Sequence, residues 1–221
     1  MVGCAGTSTF EGVGNLLGST QPSGESRIVA GLKQALEIGT ERAVGRTSKP
    51  NGFLGDPAIR IGLPGSLETM ASGLRAVGLG ARVDELEVAM NRAAEEASGE
   101  ATEVFWQGIR QMTFSDARSI LGGGETAATE YFERTTRQPL LERFEPIVAA
   151  RVRSVGLGRS YSDLVDRYAA LPFASKPDLN LERYVTNEAL DGLFLVLGEE
   201  ERRIRSDPAA RSTALLKEVF R

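Results

Sequence analysis

The 221-residue chain contains no histidine, one cysteine and one tryptophan. Without imidazole it lacks the commonest general base, the commonest transition-metal ligand and the side chain that titrates near neutrality. Its serines have no histidine to activate them, and neither a Ser-x-x-Lys spacing nor a Gly-x-Ser-x-Gly elbow occurs. A lone Cys4 forms no internal disulfide and no thiolate metal cluster. No apolar run approaches the roughly 18 residues that span a bilayer. Nor is there an excess of positive charge: 26 Lys and Arg stand against 30 Asp and Glu, net -4. A polyphosphate backbone finds no favourable field there, which excludes a dedicated nucleic-acid partner.

What is present is the material of a folded body. Hydrophobic residues make up 41%, and the 25 glycines raise that to about half. Residues 1–24 read as a flexible tether, rich in Gly, Ser and Thr, with only Phe10, Val13, Leu16 and Leu17 as apolar anchors. Met1-Val2-Gly3-Cys4-Ala5-Gly6 resembles a bacterial lipoprotein processing site, where a small residue precedes the cysteine that is acylated. Cys4 is thus a candidate for lipidation, the alternative being an incidental cysteine in a terminus. Membrane attachment is expected through lipid only.

From Glu25 onward the apolar period is helical. The spacing predicts helices over 25 to about 44, 66–77, 80–97 and about 100–111, then a short one to Leu121 opened by a variant capping box, Thr113 with Asp116. Gly122-Gly123-Gly124 predicts a break. A helix from near Glu125 through Val152 is expected to kink or restart at Pro139 and Pro146. Further helices are expected over 161–171, 181 to about 205, and from Asp207-Pro208 to Phe220. Between the first two lies an ordered crossover, FLGDPAIRIGLPG, in which Ile59 and Ile61 suit a short extended piece with no strand partner. The fold class is therefore all-α, a single-domain multi-helix bundle over 25–221, with eight to ten helices.

The strings GLKQALEIGTERAV, FLGDPAIRIGLP, MNRAAE, TFSDARSILGGGETAATEYF, YVTNEALDGLF and EEERRIRSDPAARSTALLKEVF, in this order from Gly31 to Phe220, resemble the bacterial family called domain of unknown function 4197. The resemblance implies an all-helical body and small exported proteins of Gram-negative bacteria, often with lipoprotein-like starts. It implies periplasmic localisation at the outer membrane and no known reaction. Ser206 and Asn187 stand where the family leads one to expect Asn and Lys.

ALDGLFLVLG, residues 189–198, is apolar around nearly its whole circumference and is expected at the centre of the body. Asp191 within it is then a costly buried carboxylate that either meets an arginine or lines a cavity, with Arg92 as the expected partner. Glu199-Glu200-Glu201 before Arg202, Arg203 and Arg205 reads as a solvated ladder of helix-face pairs. Asn91, Arg92, Glu95, Asp191, Glu199 and Arg202 are the candidate ligand- or partner-contacting residues. No catalytic residue, cofactor or metal is assigned. The carboxylates lack the loop of a calcium site, and Leu121-Gly122-Gly123-Gly124-Glu125 lacks the Lys-Ser/Thr ending of a phosphate loop.

Three functions follow as expectations: a binding or scaffold module for a protein or envelope component, a carrier with an apolar cavity gated by Asp191 and Arg92, or an enzyme with an Asp/Glu acid-base pair.

Overall fold

Hydrophobic stripes at helical spacing make each segment a helix and also dictate what it packs against. In the computed structural model, which describes residues 24–154, 157–170, 180–211, 213 and 217, eight α-helices follow one another: α1 (Gly24–Thr47), α2 (Gly65–Ala76), α3 (Gly80–Ser98), α4 (Ala101–Gln111), α5 (Phe114–Leu121), α6 (Ala127–Ser154), α7 (Leu157–Ala169) and α8 (Leu181–Ser206). A short 3-10 turn, Pro208–Ala210, follows. Among the described residues there is no strand. Cys4, the tether, the 171–179 loop and most of the expected last helix lie outside the described residues.

The longest helices, α6 and α8, pack on each other, with α1 and α3 against them and α4, α5 and α7 outside. One continuous core joins Leu32 and Leu36 of α1, Met90 of α3, Phe105 of α4, Phe132, Leu140 and Phe144 of α6, and Val185, Leu193 and Val196 of α8. Phe105 meets Phe132 edge-on at 5.3 Å and Phe194 at 6.1 Å between ring centroids, the geometry favoured by aromatic quadrupoles.

Two expectations are corrected by burial. First, the chain does not restart at Pro139 or Pro146: α6 continues as one helix through both. Both prolines are exposed and seven residues apart (146 minus 139), on the solvent side of the helix. Thr135 and Glu142, whose carbonyls lose the usual donor four residues on, are exposed as well, while Leu140, Phe144, Val148 and Val152 hold the other side in the core. Packing thus offsets the ~3 kcal/mol that an interior proline costs. Second, α8 is not apolar all round: Asp191 and Leu195 are exposed while Leu190, Gly192, Leu193, Phe194 and Val196 are buried. Residues 191, 195, 199 and 202 fall at four- and three-residue steps, so they form one outward stripe.

The crossover between α1 and α2 leaves α1 by a tight turn. Asn51 there has φ 65°, and a Cβ on Gly52 would strike the carbonyl oxygens of Arg46 and Thr47. Only glycine fits so close to the end of α1. The Thr113–Asp116 capping box is present as expected: Asp116 N donates to Thr113 Oγ1 at 3.1 Å, and Thr113 N to Asp116 Oδ2 at 3.0 Å.

Candidate functional site

A crossover without regular structure must place its buried amides somewhere. Here α3 receives them. Asn91 is wholly buried; its Oδ1 accepts from Ile61 N at 2.9 Å, and its Nδ2 donates to Ile61 O and Glu87 O, both at 2.8 Å. The side-chain amide makes the two hydrogen bonds that a neighbouring strand would supply to Ile61, which is why an extended stretch persists without a sheet. One turn later, Glu95 is 4% exposed and its Oε1 accepts from Phe53 N at 3.2 Å and Leu54 N at 3.1 Å. Its Oε2 takes Arg92 Nη1 at 2.6 Å, and Arg92 Nη2 reaches Asn51 Oδ1 at 2.8 Å. Asn91, Arg92 and Glu95 are thus brought together, as three clamps on one crossover.

The crossover is fastened from its other side by α1 and α8. Arg46 bridges Glu199 and Asp56, 2.6 Å from each. That guanidinium holds the Asp56 carboxyl below the usual carboxylate range, and the two acids raise Arg46 above its already high value. Tyr184 donates its hydroxyl to Gly62 O at 2.9 Å. Burial, helped by the charge of Glu188, pushes its phenol up to about 12. Burial also raises Glu188, with the nearby Asp191 charge adding to it. Phe53 and Ile59 press into α8 at Gly192, where a Cβ would lie 2.6 Å from the Phe53 ring and 3.2 Å from Ile59 Cβ.

Asp191 and Arg92, expected as partners, are not paired. Asp191 points outward with its side chain 56% exposed and meets Arg137 Nη2 at 2.6 Å. An ion pair so exposed contributes ~0–1 kcal/mol. The turn of α8 that carries Asp191 buries Leu190 and Gly192 instead, which leaves the acid on the solvent stripe. Leu195, Glu199 and the exposed Arg202 continue that stripe.

The acidic run is also corrected. Helix-face pairs do form, Glu200 with Arg203 at 3.2 Å and Glu201 with Arg205 at 2.9 Å. Yet Glu200 and Glu201 are buried rather than solvated. Glu201 accepts from Ala128 N at 2.9 Å and from Thr129 N and Oγ1, both at 2.8 Å. It is a carboxylate cap on the first turn of α6 supplied from α8, where free amides and the helix dipole favour an anion. No sequence signal announced Glu201, because its partners are 72 and 73 positions away.

The cavity beside α8, lined by Leu36, Gly39, Phe132, Leu197, Glu201 and Ile204 among others, measures about 20 Å³. That is room for one water rather than a ligand of several hundred cubic ångströms. Among the described residues no three acidic or thiol groups are placed to hold a metal ion, and no helix is long and apolar enough to cross a membrane.

The class these features define is an all-helical bundle whose inter-helix crossover is clamped by side chains of three helices, α1, α3 and α8. The chain belongs to the DUF4197 family, a protein of unknown function, over residues 23–221. No curated protein and no solved structure matches it.

Two predictions arise here. Asn91→Ala leaves the amide and carbonyl of Ile61 buried without partners, each worth ~1–3 kcal/mol; urea unfolding is expected to lose ~2–4 kcal/mol, and a loss below 1 kcal/mol contradicts the clamp. Tyr184 is the alkaline counterpart. Its folded pKa lies above the ordinary 10.0, at about 12, so its contribution is full below pH 10 and disappears as pH rises from about 10 to about 12. Tyr184→Phe should lower stability by ~1 kcal/mol at neutral pH and flatten that alkaline loss. An unchanged alkaline slope contradicts the assignment.

Proposed function

We propose that the protein is a non-enzymatic binding or scaffold module of the bacterial envelope, attached through a lipid on Cys4 at the periplasmic face of the outer membrane. One observation carries the choice of binder over catalyst and carrier. The buried acids are engaged by the chain's own groups, Glu95 and Glu201 by amides and arginines and Glu200 by Arg203, and the cavity beside α8 is too small for a ligand. What remains for recognition is the outer surface. There Asp191, Leu195, Glu199 and Arg202 form the outward stripe of α8, joined to the crossover where Arg46 bridges Glu199 and Asp56. A rigid surface loses little entropy on binding, and an anchor raises its local concentration. The lipoprotein-like segment Met1 to Gly6 supports the address.

The test has two readouts. Mass spectrometry of the protein from its host is expected to show acylated Cys4 in the membrane fraction; unmodified Cys4 in the cytosol contradicts the address. A photoreactive residue at Leu195 is expected to crosslink an envelope component, with crosslinking reduced in Glu199→Lys. Turnover of any small molecule abolished by replacing one acidic side chain contradicts the binding role.

A further inference from the structure

Ile28 and Phe114 are two of the large hydrophobic side chains exposed on the body. They line a shallow groove of about 200 Å³ between the first turns of α1 and helix α5, completed by Val29, Leu121, Glu25 and Arg118. Phe114 is 45% exposed and Ile28 39%. The Arg118 guanidinium stacks on the Phe114 ring, 5.1 Å from its centroid, and pairs with Glu25 at 2.7 Å. The capping box opens α5 directly before Phe114, and the helix packs on α6 and α1.

The position of this groove singles out an occupant. One side of it is the first turns of α1 after Gly24, the described residues that follow Cys4 most closely along the chain. From Cys4 to Gly24 are 20 residues (24 minus 4), a reach of at most ~70 Å even when fully extended. A body held so near a surface meets it at an effective concentration in the millimolar range, where a small patch suffices for contact. Phenylalanine and isoleucine with an arginine at the rim are the residues of an interfacial contact: rings and aliphatic chains enter the acyl boundary while the guanidinium stays among phosphates.

We infer that the groove of Ile28, Phe114 and Leu121 is the membrane-facing end of the body, resting on the lipid surface to which Cys4 is anchored, with Arg118 exchanging Glu25 for a lipid phosphate. This inference rests on the anchored reading of Cys4. It orients the molecule: the tethered end meets the bilayer, and the stripe of α8 is left to a partner.

The experiment uses the acylated full chain, in which Cys4 is blocked, carrying Ser115→Cys as the only free thiol, labelled with a fluorophore. Vesicles are phosphatidylethanolamine with a minority of phosphatidylglycerol, and brominated lipids act as quencher. A label at Ser162→Cys on α7 is the comparison. Position 115 is expected to be quenched several-fold more than position 162. Ile28→Ser with Phe114→Ser should abolish the difference while the protein still sediments with vesicles and keeps its thermal midpoint. Equal quenching at the two positions overturns the inference while leaving the anchor intact. So does a label at 115 already shielded before vesicles are added, the mark of coverage by the preceding segment or, if concentration-dependent, by a second copy. If Cys4 carries no lipid, the anchored reading fails by itself. Sedimentation of the Cys4→Ser protein with the same vesicles then decides: binding lost in the Ile28→Ser, Phe114→Ser variant supports the contact, and no binding overturns it.

Discussion

Glu201→Ala is expected to destabilise the protein by ~3–5 kcal/mol, the cost of removing one partner of a buried pair. Its carboxylate accepts two amides and a hydroxyl at the start of α6 and also holds Arg205, whose side chain is 16% exposed. Truncation orphans the Ala128 and Thr129 amides and removes Glu201 from the partners of Arg205, which keeps its bond to Ile120 O at 2.9 Å. At ~2–4 °C per kcal/mol for a chain of this size, the thermal midpoint should fall by ~10 °C or more. Glu201→Gln keeps the volume and one acceptor oxygen but presents an NH2 to donors, so a smaller loss of ~1–3 kcal/mol is expected. A shift of less than 2 °C in the alanine variant means that α6 does not depend on this cap.

Gly192→Ala should cost ~2–3 kcal/mol, near the top of the range for overpacking a core. The added methyl lies 2.6 Å from the Phe53 ring, and Phe53 is fully buried with its own amide held by Glu95. The ring therefore cannot swing away without pulling the crossover off α3. Phe53→Leu makes room, so the double variant should be more stable than the sum of the two single losses predicts, by ~0.5 kcal/mol or more. Strict additivity contradicts direct contact between crossover and helix. Gly192→Val should be worse than alanine, since a β-branched side chain brings two more atoms into the same space.

The bundle was legible because helical periodicity is local: the apolar positions of α1, α3 and α4, the Thr113–Asp116 box and the glycine break after Leu121 fall where the spacing puts them. Asn91, Arg92 and Glu95, expected among the residues that contact a ligand or partner, lie together on α3 and hold the chain's own crossover. What they hold was not legible, because the amides of Phe53 and Ile61 lie 42 and 30 positions away. Asp191 was misplaced for the opposite reason. A nearly uniform apolar run contains too little periodicity to show which side faces water, and packing of α1, α3 and α6 around α8 decided that. The prolines of α6 looked like breaks because their local cost is visible in sequence, whereas the buried face of Leu140, Phe144 and Val148 that offsets it belongs to tertiary structure.

The common physical feature is that the side chains most suggestive of chemistry act on the protein's own backbone. Asn91 and Glu95 replace a missing sheet for the crossover, and Glu201 replaces a local cap for α6. Glu95 and Glu201 are engaged in this way and the buried Glu200 is paired with Arg203, so the surface that these clamps support is the part of the molecule on which the proposed binding role rests.

Amide hydrogen exchange tests this most directly. In the native protein the amides of Phe53, Leu54, Ile61, Ala128 and Thr129 are expected to exchange orders of magnitude more slowly than an open loop, at rates set by unfolding of the core. In Glu95→Gln only Phe53, Leu54 and their neighbours should speed up markedly, while Ala128 and Thr129 stay slow. Exchange of these five amides at open-loop rates in the unaltered protein would show that the buried side chains are not holding the backbone, and would return them to candidacy for a ligand.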